Sequence, residues 1–162
     1  MNTLLTSRQI GNLTSRLVAD LQSTNWPKIQ STDQERSVTK HFVAPVVRET
    51  LSQLGINRLV LSSDGTRVPK PLIKFGMSFS PDLEIRFADQ KCIAFEVKLL
   101  RDHDASGSLS KALGQALIYK SFGFERSICV VFDTRKNGDS EIQNFLENAL
   151  SGDDSISALY LH

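Results

Sequence analysis

Apolar residues Ile10, Leu13, Leu17 and Leu21 recur at spacings of three and four, which predicts one amphipathic helix over about residues 6–23, closed before Trp26-Pro27. Residues 33–54 repeat the helical period with Val38, Phe42, Val46 and Leu54 inward and Gly55 as the stop. Pro45 is expected to kink or split this helix, because proline lacks an N–H and crowds the carbonyl of His41. INRLVLS reads as a strand. Residues 62–80, with prolines, glycines, Arg67, Lys70 and Lys74, read as a long connection holding a short strand. The segments PDLEIRF and KCIAFEVKLL alternate with period two around Ala88-Asp89-Gln90, the pattern of an antiparallel hairpin. A helix near residues 107–122, the strand SICVVFD, a helix near 139–150 and the strand SALYL complete the chain. Strands and helices that interleave in this way predict a three-layer α/β or α+β domain. We expect one domain over residues 1–162, with 1–27 as an N-terminal helical extension.

Composition narrows the classes. With 162 residues, 40% apolar and 23% charged, the chain suits one soluble globular domain and excludes disordered and fibrous classes. Nineteen Lys and Arg against 18 Asp and Glu leave a net charge of +1, so a polyanion must be met by a local patch. Cys92 and Cys129 sit inside apolar strands as small hydrophobes, which implies no disulfide framework and a reducing, cytoplasmic setting. No segment is apolar over the ~20 residues that span a bilayer, so no membrane partner is expected. The amphipathic start, with Arg8, Arg16 and no acid before Asp20, also fits an organelle transit peptide.

Strand alternation supplies the candidate chemistry. In CIAFEVK, Ile93, Phe95 and Val97 share one face while Ala94, Glu96 and Lys98 share the other. Pairing across the turn brings Asp82, at the start of the neighbouring strand, close to Glu96. Two carboxylates and a backbone carbonyl such as that of Val97 form a hard oxygen site that suits Mg²⁺ or Mn²⁺. Beside it, Lys98 is placed to orient or help deprotonate an attacking water and to offset charge on a pentacovalent phosphorus. The chemistry so assembled is phosphodiester hydrolysis.

SPDLEI followed by FEVK resembles the PD-(D/E)XK signature of restriction-type nucleases. The only Pro-Asp of the chain opens one strand, Glu-x-Lys closes the next, and a helix and strand follow in the order of that fold. In the following helix, Gln115 and Tyr119 form QALIY, similar to the Q-x-x-x-Y motif of bacterial recombination exonucleases and of the nuclease domain in type I restriction motor subunits. The segment QERSVTKHFVAPVVRETLSQLG is also similar to the start of the latter domain. The resemblance implies a restriction-endonuclease-like α/β/α core with a mixed sheet of four to five strands, and a metal-dependent deoxyribonuclease acting in repair, recombination, restriction or defence. It further implies Asp82 and Glu96 as metal ligands, Lys98 as the catalytic lysine and Glu35 as an auxiliary acid. Gln115, Tyr119 and Lys111 follow as contacts to DNA. Those nucleases couple this module to a helicase, whereas this chain carries no motor or P-loop, so a homodimer or separately encoded motor or defence subunits are the expected partners.

Other readings stay open. Glu35 also suits a helix N-terminus, with Asp33 as cap, and Tyr119 a core edge with Gln115 in solvent. Glu84 and Arg86 either flank the site or pair across the sheet. Asp102-His103-Asp104 reads as a solvated loop, and Arg67, Lys70, Lys74 and Arg101 as groove-lining or merely solvated cations. A catalytically silent module of the same fold, binding nucleic acid or a protein, is the alternative function.

Overall fold

The computed structural model describes residues 4–55, 59–62, 72–74, 76–139 and 141–162. A five-stranded mixed sheet runs in the order β1 (Leu59–Ser62), β4 (Leu83–Phe87), β5 (Gln90–Leu100), β6 (Arg126–Asp133) and β7 (Ile156–Leu161). β1, β4 and β5 are antiparallel; β5, β6 and β7 are parallel. The connection at 62–80 holds a separate two-stranded ribbon, β2 (Leu72–Lys74) with β3 (Met77–Phe79).

Helices cover both faces, giving three layers. One face packs on α1 (Ser7–Ser23) and α3 (Ala44–Gln53), the other on α4 (Ala105–Ser121). The side chains sort by strand parity: Phe95, Val97, Leu99, Ile128 and Val130 join the α1 side, and Ala94 and Cys129 the α4 side. α1 opens with a capping box between Thr6 and Gln9. Its stripe of Ile10, Leu13, Leu17 and Leu21 lies in the main core, so residues 7–23 form a layer on the sheet. α5 (Glu141–Ala149) covers the outer strand, where Gln143 Oε1 accepts a bond from the Tyr160 amide.

The second helical stretch is split, as Pro45 requires, but by a device that periodicity alone does not reveal. A short α2 (Glu35–Val38) runs into a five-residue π turn (Thr39–Val43), and Pro45 sits in the first turn of α3, where its missing N–H costs nothing. The wider turn rotates the later residues around the axis. Val43, Val47 and Leu51 are buried, Phe42 and Val46 only partly, and Leu54 is exposed, which corrects the inward set expected after Val38. Gly55 ends the stretch at φ 65°, the left-handed value that glycine adopts without strain.

The β4–β5 hairpin turns through Ala88-Asp89 and carries a β-bulge beside Ile85 and Arg86. Near the turn, Phe87 pairs with Gln90 and Arg86 with Lys91; beyond the bulge, Ile85 pairs with Ile93 and Leu83 with Phe95. Cys92 and Ile93, adjacent in sequence, therefore both enter the main core.

Candidate active site

The bulge decides which residues meet. Continued without it, the turn register would set Asp82 opposite Phe95, on the apolar face; with it, Leu83 pairs with Phe95 and Asp82 falls beside Glu96. Asp82 donates its amide to Phe95 O (2.9 Å), and its Oδ2 accepts from the Val97 amide (2.8 Å). Because the N–H and C=O of one strand residue point to the same side, the Val97 carbonyl shares this edge with the Asp82 carboxylate.

Glu96 and Lys98 lie on the α4 face of β5, as alternation predicts. Lys98 Nζ is 2.6 Å from Glu96 Oε1 and donates to Glu35 Oε2 at 3.3 Å. Glu35, at the start of α2, also accepts from the Leu99 amide (3.2 Å), so it bridges the lysine and the strand behind it. Gln34 is the N-cap of α2, and Asp33 instead accepts from the Gln30 amide. Glu96 and Glu35 thus share one ammonium, and Arg101 Nη1 stands 4.0 Å from Glu35 Oε1.

Tyr119 is fully buried, and its hydroxyl stands 2.6 Å from Glu96 Oε2 and 2.9 Å from the Ser80 carbonyl. One hydroxyl proton serves only one of these acceptors at a time. Tyr119 ties α4 to both halves of the Pro-Asp/Glu-x-Lys pair. Gln115 lies one helical turn before it, half-buried, and Lys111 one turn earlier still, largely exposed and 4.0 Å from Asp104.

Electrostatics follow from burial and crowding. Burial, then the charge of Asp82, pushes the Glu96 carboxyl up to about 7 against the pull of Lys98 and Tyr119. Asp82 is also raised, chiefly by burial, despite the Val97 amide and Lys98. Burial pulls the Lys98 ammonium down, but Glu96, Glu35 and Asp82 outweigh it and hold it above its ordinary value. Burial, reinforced by Glu96, raises Tyr119 as well, so its hydroxyl keeps its proton. The three carboxylates therefore outnumber the two cations near them, Lys98 and Arg101, whose Nη1 lies 4.0 Å from Glu35 Oε1.

That imbalance is the test of whether a divalent cation fits. Among the described residues no three His, Cys, Asp or Glu side chains converge closely enough to hold an ion, so the donors here are Asp82, Glu96 and the Val97 carbonyl. All are hard oxygens, and Mg²⁺ and Mn²⁺ are commonly held by one or two carboxylates with water and phosphate completing the shell. The donor chemistry fits.

Beside the centre, Glu35, Lys98, Arg101, Asp104, Ser108 and Lys111 line a cavity of about 360 Å³. Ser108, one turn before Lys111, was not singled out by sequence; its helical spacing from Lys111 and Gln115 is the signal that marks it. Arg101 is a clamp: its Nε donates to Ser31 O and its Nη2 to Asp33 O, both at 2.8 Å, fixing the segment that leads into Glu35. No sequence signal reveals contacts some seventy residues apart. Glu84 and Arg86 pair with each other at 2.8 Å. His103, Asp102 and Asp104 form an exposed turn. Arg67 and Lys70 lie outside the described residues, and Lys74 falls within β2. No described helix is long and apolar enough to cross a membrane. No family model, curated protein or solved structure matches the chain.

Proposed function

We propose that this chain is a divalent-cation-dependent deoxyribonuclease of the PD-(D/E)XK type, hydrolysing DNA phosphodiester bonds in repair, recombination, restriction or defence. The observation that carries the reading is the clustering of Asp82, Glu96 and Glu35 about Lys98 and Arg101, three acids to two cations, beside an open polar cavity. A purely structural ion pair has no need of that surplus.

Asp82, Glu96 and the Val97 carbonyl would hold Mg²⁺ or Mn²⁺, which supplies Lewis acidity to a phosphodiester and favours ionisation of water. Lys98, kept protonated by its three acids, acts as a charge donor more readily than as a base. It orients the water and offsets charge that develops on the phosphate oxygens. Glu35, in contact with Lys98 and open to the same cavity, is the carboxylate placed to take the proton of that water. Water adds its oxygen to phosphorus, the P–O bond to the sugar breaks, and the leaving alkoxide takes up a proton. Tyr119 holds Glu96 in place, and Gln115 and Lys111 extend the α4 face toward the DNA backbone. The reading places the protein in the cytoplasm, with Cys92 and Cys129 as free buried thiols.

The test is cleavage of linear, circular and branched DNA with Mg²⁺ or Mn²⁺, comparing native protein, Lys98→Ala and an EDTA control. Cutting that requires both metal and Lys98 is expected. If native protein binds DNA and cuts nothing under any of these conditions, the catalytic reading falls in favour of a silent binding module.

A further inference from the structure

A second cleft, of about 610 Å³, lies at the same end of the sheet as the candidate active site. Trp26, Ile29, Phe132 and Leu161 give it an apolar floor, and Lys28, Arg135 and Lys136 a cationic rim. We propose that this cleft seats a single nucleic-acid strand flanking the scissile phosphate, an inference that rests on the nuclease reading of the neighbouring site.

Position is the first argument. Leu100, which closes β5 two residues after Lys98, pairs with Asp133, and Thr134 donates both its amide (3.1 Å) and its hydroxyl (2.8 Å) to the Leu100 carbonyl. Arg101 lines the catalytic cavity and binds the carbonyls of Ser31 and Asp33, a few residues along the chain from Ile29 in the cleft. The two cavities have no lining residue in common, and these hydrogen bonds link the segments that line one to the segments that line the other.

Charge is the second. Asp133 is bound by Arg135 through Nε (2.8 Å) and Nη2 (2.6 Å), so the acid in the cleft is already neutralised. Lys28 and Lys136 are exposed and pair with no acid among the described residues, which leaves two free positive charges over an apolar floor. Trp26 is already fixed, its Nε1 donating to Leu21 O at 3.1 Å and its ring edge-on to Phe132 at 5.2 Å. Fixed aromatic surface beside cations that track a backbone is the chemistry of single-strand binding.

The experiment is fluorescence anisotropy of a labelled oligothymidylate with Ca²⁺, over a salt series, for native protein, the double variant Lys28→Ala/Lys136→Ala and the charge-matched control Lys40→Ala/Lys120→Ala. Loss of two phosphate contacts should lower the slope of log affinity against log salt by about 1.4 and weaken binding on the order of tenfold at low salt. The control should retain the native slope. A cleft variant indistinguishable from that control overturns the proposal. Manganese-dependent hydrolysis of bis(p-nitrophenyl) phosphate, which needs only the Lys98 centre, is expected to be unchanged in the cleft variant. Native protein that lacks this hydrolysis while the slope still drops would sink the nuclease reading and leave the strand-binding cleft standing.

Discussion

Two clusters at the carboxyl ends of neighbouring strands use the same three side-chain types to opposite effect. On β5, Glu96 meets Lys98 and Tyr119; on β6, Asp133 meets Arg135 and Tyr160, whose hydroxyl donates at 2.6 Å. Burial raises both acids. At Asp133 the guanidinium fork and the tyrosine outweigh it and bring the carboxyl down to about 2. At Glu96 the lysine is shared with Glu35, Asp82 adds its own charge, and the carboxyl rises to about 7. One acid with a dedicated partner is a fastener, whereas three acids sharing Lys98 and Arg101 form a site that asks for another positive charge.

The sharpest way to break this comparison is catalytic. Lys98→Ala should lower metal-dependent cleavage by about 10²–10³-fold, the usual cost of one donor to transition-state charge, while Arg135→Ala leaves turnover of a small diester near native. Single-turnover assays on both variants check it. In stability the order reverses. Asp133→Asn should cost about 2–3 kcal/mol, because it leaves Arg135 without its acid, and Glu96→Gln should cost less than about 1 kcal/mol in the absence of metal. Urea titration at neutral pH measures both.

Metal should then separate the clusters again. Saturating Mn²⁺, at about a hundredfold over its dissociation constant, should stabilise native protein by about 2.7 kcal/mol. The gain should vanish in Glu96→Gln and persist in Asp133→Asn, as read by the shift in Tm.

The pH response follows from the two directions. Between 4.5, its ordinary value, and about 7, Glu96 binds more proton in the folded than in the unfolded chain, so its contribution to stability falls as pH rises through that window. Asp133 contributes fully above its ordinary 3.8 and loses that contribution as pH falls toward about 2. Glu96→Gln should flatten the first slope and Asp133→Asn the second, in metal-free unfolding curves across pH. A comparably small effect is expected from Tyr119→Phe. Losing one hydrogen bond should cost about 1 kcal/mol in stability, visible as a slightly lower Tm.

Much of this was legible in the sequence because strand and helix periods are simple. Alternation set Glu96 and Lys98 on one face, and the stripe of α1 named its buried residues correctly. Its place as a layer of the core was not legible, since an amphipathic stripe does not say what it packs against. The inward set after Val38 failed where a π turn changed the period, a feature that side-chain pattern does not encode. Asp133, Arg135 and Tyr160 escaped notice for another reason. Tyr160 lies 27 residues beyond Asp133, and only the parallel β6–β7 pairing brings them together.

The bulge at Cys92 also sets a rule for how this hairpin could change length. Each residue added to or removed from one strand between the turn and the Glu-x-Lys triplet swaps inside for outside along the rest of the pairing unless a bulge is gained or lost with it, with every motif letter intact. Deleting Cys92 alone would erase the bulge and leave Asp82 beside Glu96, whereas adding one residue without a second bulge would move the two acids out of phase. Insertions and deletions between Asp82 and Glu96 should therefore be tolerated in even steps, or in odd steps that create or erase a bulge. The spacing between the two acids is free to drift, provided that a bulge comes or goes with every odd step.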